Sequence, residues 1–458
     1  MNSPLLKLKN FYYRFRPLEN YYGSEFKRIY NFLLESRRWS AEQIRDYKFK
    51  KLIALLEHAE KNVPYYRELF AREGISSRDI KSYRDFARIP ILTKQAVRTN
   101  QEKLKADNFK SYRPLRTETS GTTGHVTMVY RSKYHENFRR AVLARFYREF
   151  GYKFREPRIN INFPHSVQKD SPVYFYDKLL NTYSINISHI MAGRYQMVYE
   201  AVSALPAKLI WAHPNILFNL AQYMVDNGLD PIEAPYVVTY AETIYPQTRK
   251  IMNQAFPGQY YEYYGNRENS IGAWGFSNGS FFEISEYCHL EINKSNSIES
   301  HPEAGDIIST SLNNYAFPLI RYDCGDVGQI EGYPNTEIPY PSIKLIGGRG
   351  KDILLTREGL FIPYFLSHLE QNNFDKIKYT QLVQLSLDEL VVNYIPRDNF
   401  DESRDAEIFA RLIEEALVHK FKIRLERVDE VNFTRSGKSP SSISRLADEY
   451  IARLGTTA

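Results

Sequence analysis

Two hydrophobic rhythms alternate along the chain. Ser40-Ala41-Glu42-Gln43 has the form of a capping box, in which the Ser and Gln side chains satisfy free N–H groups at a helix start. Behind it Leu52, Ile53, Leu55, Leu56 and Ala59 recur at helical spacing, so an amphipathic helix is expected up to Asn62-Val63-Pro64. Short segments near 67–73 and 82–87 follow. A second strong helix is predicted over 134–150, with Phe138, Ala141, Val142, Arg145 and Phe146 on one face. Between 158 and about 330 short apolar runs alternate with helical stretches: strands at 159–163, 207–211 and 236–240, helices at 196–204 and 216–225. That order predicts α/β units with a largely parallel sheet. After Gly279 the pattern shortens to hairpins at 281–285, 288–292, 306–312 and 319–322, a mixed or barrel-like β region. Ile346-Gly347-Gly348-Arg349-Gly350-Lys351-Asp352 reads as a boundary. Beyond it a compact α+β module is expected, with helices at 364–371 and 406–421 and strands at 379–386, 389–395 and 428–433.

Composition narrows the class. The 458 residues suffice for two or three domains with proper cores. With 43% hydrophobic and 25% charged residues the chain reads as an ordinary globular protein, and no apolar run approaches the ~20 residues of a membrane span. Two cysteines, Cys288 and Cys324, exclude a disulfide framework and a Cys-based zinc site, which points to a reducing, cytoplasmic setting. The N-terminus lacks the unbroken apolar core of a signal peptide. Nearly all of the net charge of +7 lies in the first fifty residues, where 11 Lys/Arg face 5 acids among Phe and Tyr. Such a segment suits peripheral contact with the inner face of an anionic membrane; the alternative is an arm that packs its aromatics on the body. No nucleic-acid motif accompanies it, so no nucleic-acid partner is expected.

Five stretches carry candidate chemistry. Thr119-Ser120-Gly121-Thr122-Thr123-Gly124 offers hydroxyls and flexible backbone, cannot make a good helix, and leads into an apolar strand; it suits phosphate oxygens, or else is a polar turn. Thr239-Tyr240-Ala241-Glu242-Thr243 ends a strand in a carboxylate. Tyr263-Tyr264-Gly265-Asn266-Arg267-Glu268 joins aromatics to an acid. Arg321-Tyr322-Asp323-Cys324-Gly325-Asp326 brings two carboxylates to a strand end, where turn chemistry alone is the plainer reading of Asp326. The fifth combines Arg349 with Lys438 of Arg435-Ser436-Gly437-Lys438-Ser439. Each matches part of a nucleotide: donors for phosphate, an aromatic face for adenine, a carboxylate for ribose hydroxyls, a carboxylate for magnesium, and a cation for charge at the α-phosphate.

In this order and spacing the five stretches resemble the adenylate-forming superfamily of acyl-CoA synthetases and ligases, most nearly its phenylacetate–CoA ligase-like branch with the CapK-like capsular polysaccharide biosynthesis proteins. Val63-Pro64-Tyr65-Tyr66-Arg67 and Ile89-Pro90 through Thr93-Lys94 resemble that branch's N-terminal signature. The charge and aromatic pattern marks 1–39 as a basic aromatic arm; the resemblance implies a large adenylation domain over 40–348 with α/β sheets and a β-barrel-like part, and a small mobile α+β domain over 349–458. It implies that Thr119 to Gly124 close over the β- and γ-phosphates, that Glu242 borders the adenine and Tyr264 stacks on it, and that Asp326 holds the ribose. Glu268 would bind Mg2+ with Thr123, Arg349 would contact ribose or phosphate, and Lys438 would bridge the substrate carboxylate and α-phosphate. Lys351 sits at the hinge position. Phe163, His165, Trp211, His213 and Tyr240 would line the acyl pocket, although each also suits core packing.

The implied reaction uses ATP to convert a small carboxylate to an acyl-adenylate and pyrophosphate, with transfer to a thiol, CoA or a carrier, or to an amine. Alternatives are adenylyl transfer to a hydroxyl, as in deazaflavin-coenzyme synthetases, and an inactive paralogue acting as a scaffold. The loop departs from the superfamily pattern: His125-Val126-Thr127 stands where Pro and Lys are usual, which removes one cation. Other chemistries lack their motifs. Gly437-Lys438-Ser439 is no P-loop, because Asn432 stands where that motif needs glycine, and no Gly-x-Ser-x-Gly elbow occurs. His165, His189 and His213 do not form a metal-ligand spacing.

Overall fold

The computed structural model describes residues 21–119, 127–162, 172–241, 244, 246–276, 279–294, 303–333, 337–347, 354–357, 361–362, 374, 376–417, 421–429, 442–444 and 446. The chain divides into two compact units. One comprises Met1–Thr119, Val126–Phe154 and Glu262–Gly347; the other comprises Ser120–His125, Arg155–Tyr261 and Gly348–Ala458.

In the first unit the expected capping box is present: Ser40 accepts from Gln43 N and Gln43 returns the bond, opening the helix Ala41–Asn62. Pro64 ends that helix and occupies the first turn of the next, Pro64–Glu73, where its missing N–H costs nothing. Leu52, Leu55, Leu56 and Ala59 are buried with Tyr66, Phe70, Ile89, Leu92, Leu319 and Tyr322. The helix Lys133–Glu149 buries Phe138, Ala141, Val142, Arg145 and Phe146, as its spacing predicts. An antiparallel run of strands follows, in the order Cys288–Asn293, Gly305–Ser311, Tyr322–Gly332, Ser342–Gly347, Ser280–Glu283, Gly272–Gly275 and residues 262–265 of the strand Gln259–Gly265.

Part of the basic N-terminal segment is a helix, Ser24–Ser36, rather than a free arm. Phe26, Ile29, Tyr30 and Leu33 are buried, and its Glu25 accepts from Asn137 Nδ2 of the helix Lys133–Glu149 at 2.6 Å. The aromatics of this stretch thus pack on the body, and membrane contact finds no support there. No helix among the described residues is long and apolar enough to cross a membrane.

The second unit carries the predicted parallel sheet, in the order Tyr236–Tyr240, Leu209–Ala212, Arg158–Asn162, Thr182–Asn186, with Tyr174–Asp177 antiparallel at the edge. The helices Tyr195–Ser203, Pro214–Asp226 and Pro246–Ala255 supply its covering apolar faces, and Leu355 of the C-terminal segment joins the same core. A second sheet runs Lys422–Arg427, Glu389–Pro396, Ile377–Gln384, Ser442–Ser444, and the helix Glu402–Ala416 packs Phe409 and Ile413 against Leu382, Val392 and Tyr394.

One expected strand starts later than its pattern suggests. Residues 319–321 are not a strand: Leu319 and Ile320 are buried in the helical core and Arg321 takes a left-handed φ of 50°, so the ladder starts at Tyr322. Of the strand expected at 428–433 only Val428 and Asp429 are described, and neither is in a strand; the strand before them is Lys422–Arg427, where Ile423 and Leu425 alternate with charged residues, and 430–433 are outside the described residues, as is the expected helix at 364–371. The strands Tyr174–Asp177 and Thr182–Asn186 are further elements that the pattern of apolar runs does not predict.

Candidate active site

The best-defined site residues lie in the first unit, on two irregularities of its antiparallel strands. Ile308 pairs with Asp323 and Asp306 with Val327, so three residues, Cys324-Gly325-Asp326, oppose Ile307 alone. This is an extended bulge, and Gly325 at φ 68° accepts the left-handed turn that it requires. Asp323 Oδ1 accepts from Gly325 N at 2.7 Å and secures it. The bulge turns Asp326 out of the ladder, and its Oδ2 accepts from Tyr264 Oη at 3.0 Å. Burial, and then the Asp326 charge, hold the Tyr264 phenol well above its ordinary pKa, so it remains a donor.

The second irregularity is the turn that joins Gln259–Gly265 to Gly272–Gly275. Asn266 Oδ1 accepts from the N–H groups of Ser270 and Ile271 at 2.9 and 3.2 Å, an Asx-type closure. Asn269 takes φ 56°, and its carbonyl accepts from Tyr287 Oη and meets His135 Nε2, both at 3.0 Å. A Cβ at Gly272 would meet the Tyr287 ring at 2.8 Å, so this ring depends on a glycine beside it. The turn carries Glu268, which is buried and accepts on Oε1 from Tyr322 Oη at 3.0 Å. Tyr322 and Asp326 share one strand, and Tyr264 and Glu268 share one hairpin. Two phenols therefore tie together the two motifs that the sequence presented separately.

Arg321, at the head of the fourth motif, is structural. It pairs with Glu291 at 3.2 Å and donates to the carbonyls of Ala87 and Ile89, fixing the Ile89-Pro90 segment beside the strand. Leu92 N then donates to Arg321 O at 2.9 Å, and Asp323 N to Leu92 O at 3.0 Å. Arg267 is exposed. Burial pushes both thiols, Cys288 and Cys324, well above their usual range, so neither is a ready thiolate nucleophile.

In the second unit Trp211 and Tyr240 meet at a ring distance of 5.1 Å, and His213 and Tyr240 at 4.5 Å. The paired strands Leu209–Ala212 and Tyr236–Tyr240 set this cluster, with His213 at the cap of the helix Pro214–Asp226. Burial lowers the His213 pKa to about 4, leaving a neutral imidazole. Three of the five expected acyl-pocket residues are therefore together, while Phe163 and His165 lie outside the described residues.

Thr119 ends the strand Leu115–Thr119, which pairs antiparallel with Thr127–Arg131, so the expected loop is flanked by a hairpin. Ser120, Gly121, Thr122, Thr123, Gly124, Glu242, Arg349, Lys351 and Lys438 lie outside the described residues. No cluster of three or more metal-ligating side chains occurs among the described residues. Glu268 still suits magnesium, which is held by one or two carboxylates together with substrate phosphates and water. Tyr322, His135 and Tyr287 were not assigned roles from the sequence. Tyr322 lay inside a quoted motif, whereas nothing local to His135 and Tyr287 pointed to a turn 134 and 18 residues away.

Residues 354–444 match the CapK C-terminal domain family. Over 332 residues, 69% of this chain and 73% of the relative, the sequence is 22% identical to a phenylacetate-coenzyme A ligase of Pseudomonas putida. Crystal structures of 2-hydroxyisobutyryl-CoA ligase share the fold. One, in the postadenylation state with R3-HIB-AMP, superposes with a TM-score of 0.54 at 16% identity, covering 92% of this chain and 94% of that one. Another, with 2-HIB-AMP and CoA in the thioesterification state, gives 0.57 at 17% identity over the same shares. The fold is thus that of the adenylate-forming acyl-CoA ligases. The resemblance to their phenylacetate–CoA ligase-like branch, with a CapK-type C-terminal segment, holds beyond the motifs that first suggested it.

Proposed function

We propose that this chain is an ATP-dependent adenylate-forming ligase. It joins a carboxylic acid to the α-phosphorus of ATP, releases pyrophosphate, and passes the acyl group to a thiol such as CoA, or to an amine, with AMP as the leaving group. The observation that supports this most directly is the pair of hydrogen bonds Tyr264–Asp326 and Tyr322–Glu268, which join the motif suited to ribose and the motif suited to magnesium. The fold and the phenylacetate-coenzyme A ligase relative support the same reading.

In this reading Asp326 accepts from the ribose hydroxyls and is oriented by Tyr264. Glu268, oriented by Tyr322, would hold Mg2+ together with Thr123, and the ion would supply neutralisation of phosphate charge. Ser120 to Gly124 clasp the terminal phosphates, and Glu242 borders the base. Adenylation needs alignment and neutralisation of charge rather than a protein nucleophile. Lys438 and Arg349 supply the cations that the loop lacks, and Lys351 is the pivot on which 349–458 withdraws Lys438 for the second step. Trp211, His213 and Tyr240 face the acyl group in a neutral, largely aromatic wall. The resemblance to CapK-like capsular polysaccharide biosynthesis proteins motivates extending the reading to a carboxylate or amine used in cell-surface polysaccharide assembly.

The test is a screen of pyrophosphate release over carboxylic acids, with and without CoA and amines, repeated with Lys438→Ala. Release should depend on the acid and fall by about two to three orders of magnitude in the variant, with its circular dichroism unchanged. Wild-type release by Lys438→Ala would falsify the assignment, and a final product that retains AMP would replace it with adenylyl transfer.

A further inference from the structure

A cavity of ≈ 200 Å³ opens in the first unit and shares no residue with the carboxylate cluster described above. Lys48 and Glu283 line it and pair at 2.6 Å, with side-chain exposures of only 6% and 3%. Glu283 is well engaged: besides Lys48 it accepts from Ser285 Oγ at 2.5 Å and from Leu290 N at 2.8 Å. Lys48 is less so, because an ammonium carries three N–H donors and this carboxylate takes one. The ammonium also lies 5.9 Å from the Tyr83 ring centroid. His289, another lining residue, is buried, and its Nδ1 has no hydrogen-bond partner among the described residues. At the mouth stand Arg45, exposed, and two exposed hydrophobic side chains, Ile330 at 47% and Tyr333 at 46%.

A buried ion pair is a poor source of stability, since well-packed apolar groups of the same volume serve as well or better. Here the pair borders an open cavity and is flanked by an aromatic ring and exposed apolar groups, an arrangement that suits recognition. Arg45 and Lys48 stand against Glu283 in the lining, and Glu331 accepts from the lining Ser342 Oγ at 2.6 Å, so a carboxylate is drawn by the remaining donors of the buried Lys48 ammonium and not by net charge. The volume selects its size, since an engineered apolar cavity of about 150 Å³ holds benzene. We propose that this cavity is a second small-molecule site for a monocyclic carboxylate, its ring between Tyr83 and Ile330 and its carboxylate on Lys48, with Arg45 at the entrance. Ile330 and Asp326 belong to the same strand, Tyr322–Gly332, so occupancy adjoins the strand that carries the carboxylate cluster.

Benzoate titrated into the full chain without nucleotide, followed by saturation-transfer NMR and calorimetry, tests this. Saturable binding is expected in about the millimolar range, with uncharged benzamide about tenfold weaker. Ile330→Trp, which fills the mouth, and Arg45→Glu, which reverses its charge, should each weaken benzoate by about tenfold. Trp211→Ala, in the other unit, should leave this binding intact. Both mouth positions are exposed, so melting curves should match wild type. Undiminished binding in both mouth variants, equal binding of benzamide, absence of saturation, or loss in Trp211→Ala alone would each overturn the proposal. No nucleotide is used, so the result stands or falls apart from pyrophosphate release.

Discussion

Tyr264 donates its hydroxyl to the Asp326 carboxylate at 3.0 Å, across 62 residues of chain. The phenol therefore orients the acid in addition to the stacking proposed for its ring, and Phe281 packs beside it at a ring distance of 5.6 Å. Removing the hydroxyl while keeping the ring separates the two roles. Tyr264→Phe should raise the KM for ATP by about fivefold, near 1 kcal/mol for one lost hydrogen bond, with kcat nearly unchanged. Steady-state pyrophosphate release measures this; an unchanged KM would show that the bond does not position Asp326.

Tyr322 supports Glu268 in the same manner. Partners that orient a metal ligand typically contribute 10–100-fold to affinity or activity, so Tyr322→Phe should raise the Mg2+ concentration for half-maximal release by about tenfold. A melting shift without any change in magnesium dependence would instead make Tyr322 a packing residue.

The turn bearing Glu268 depends on Tyr287, whose hydroxyl meets both Asn269 O and His135 Nε2. Tyr287→Phe keeps the ring over Gly272 and removes only the hydroxyl. It should cost about 1 kcal/mol of stability and show magnesium dependence shifted in the same direction as Tyr322→Phe. An effect on stability alone would confine Tyr287 to the core.

The most deeply buried charges are structural. Arg145 and Glu286 pair at 2.7 Å with side-chain exposures of 2% and 0%, and Ser36 and Tyr340 donate to the same carboxylate. Glu286→Ala leaves the guanidinium buried beside an empty space and should destabilise by about 3–5 kcal/mol. Denaturant titration checks it, and a loss below about 1 kcal/mol would mean that Arg145 escapes to water.

Acid should unfold the protein through its buried imidazoles. Burial lowers the pKa of His135 to about 3 and of His213 to about 4, from an ordinary 6.5. Between those values the unfolded chain binds more protons than the folded one, so stability falls as pH drops from 6.5 towards 4 and is insensitive to these groups above 6.5. The urea midpoint should fall between about pH 7 and about pH 5, and fall less in His135→Gln. Equal losses in the variant and wild type would remove His135 from the account.

Sequence alone determined what repeats locally or declares itself by residue type. The capping box at Ser40, the apolar face of Phe138 to Phe146 and the alternation of strands and helices after 158 follow from spacing, because helix and strand periods are properties of the backbone. Motif order likewise singled out Glu268, Asp326 and Tyr264. Even the oddity of Arg145 on an apolar face was visible, though not its partner. Tertiary structure decided what depends on distant residues meeting: that Arg321 is a strut for Ile89, that the strand begins at Tyr322, that Cys324 to Asp326 bulge out, and that Tyr264 and Tyr322 cross-link two motifs. A hydrogen bond between residues 54 or 62 positions apart leaves no mark in local periodicity, because its geometry exists only once the ladder and the buried core have brought both ends to the same place.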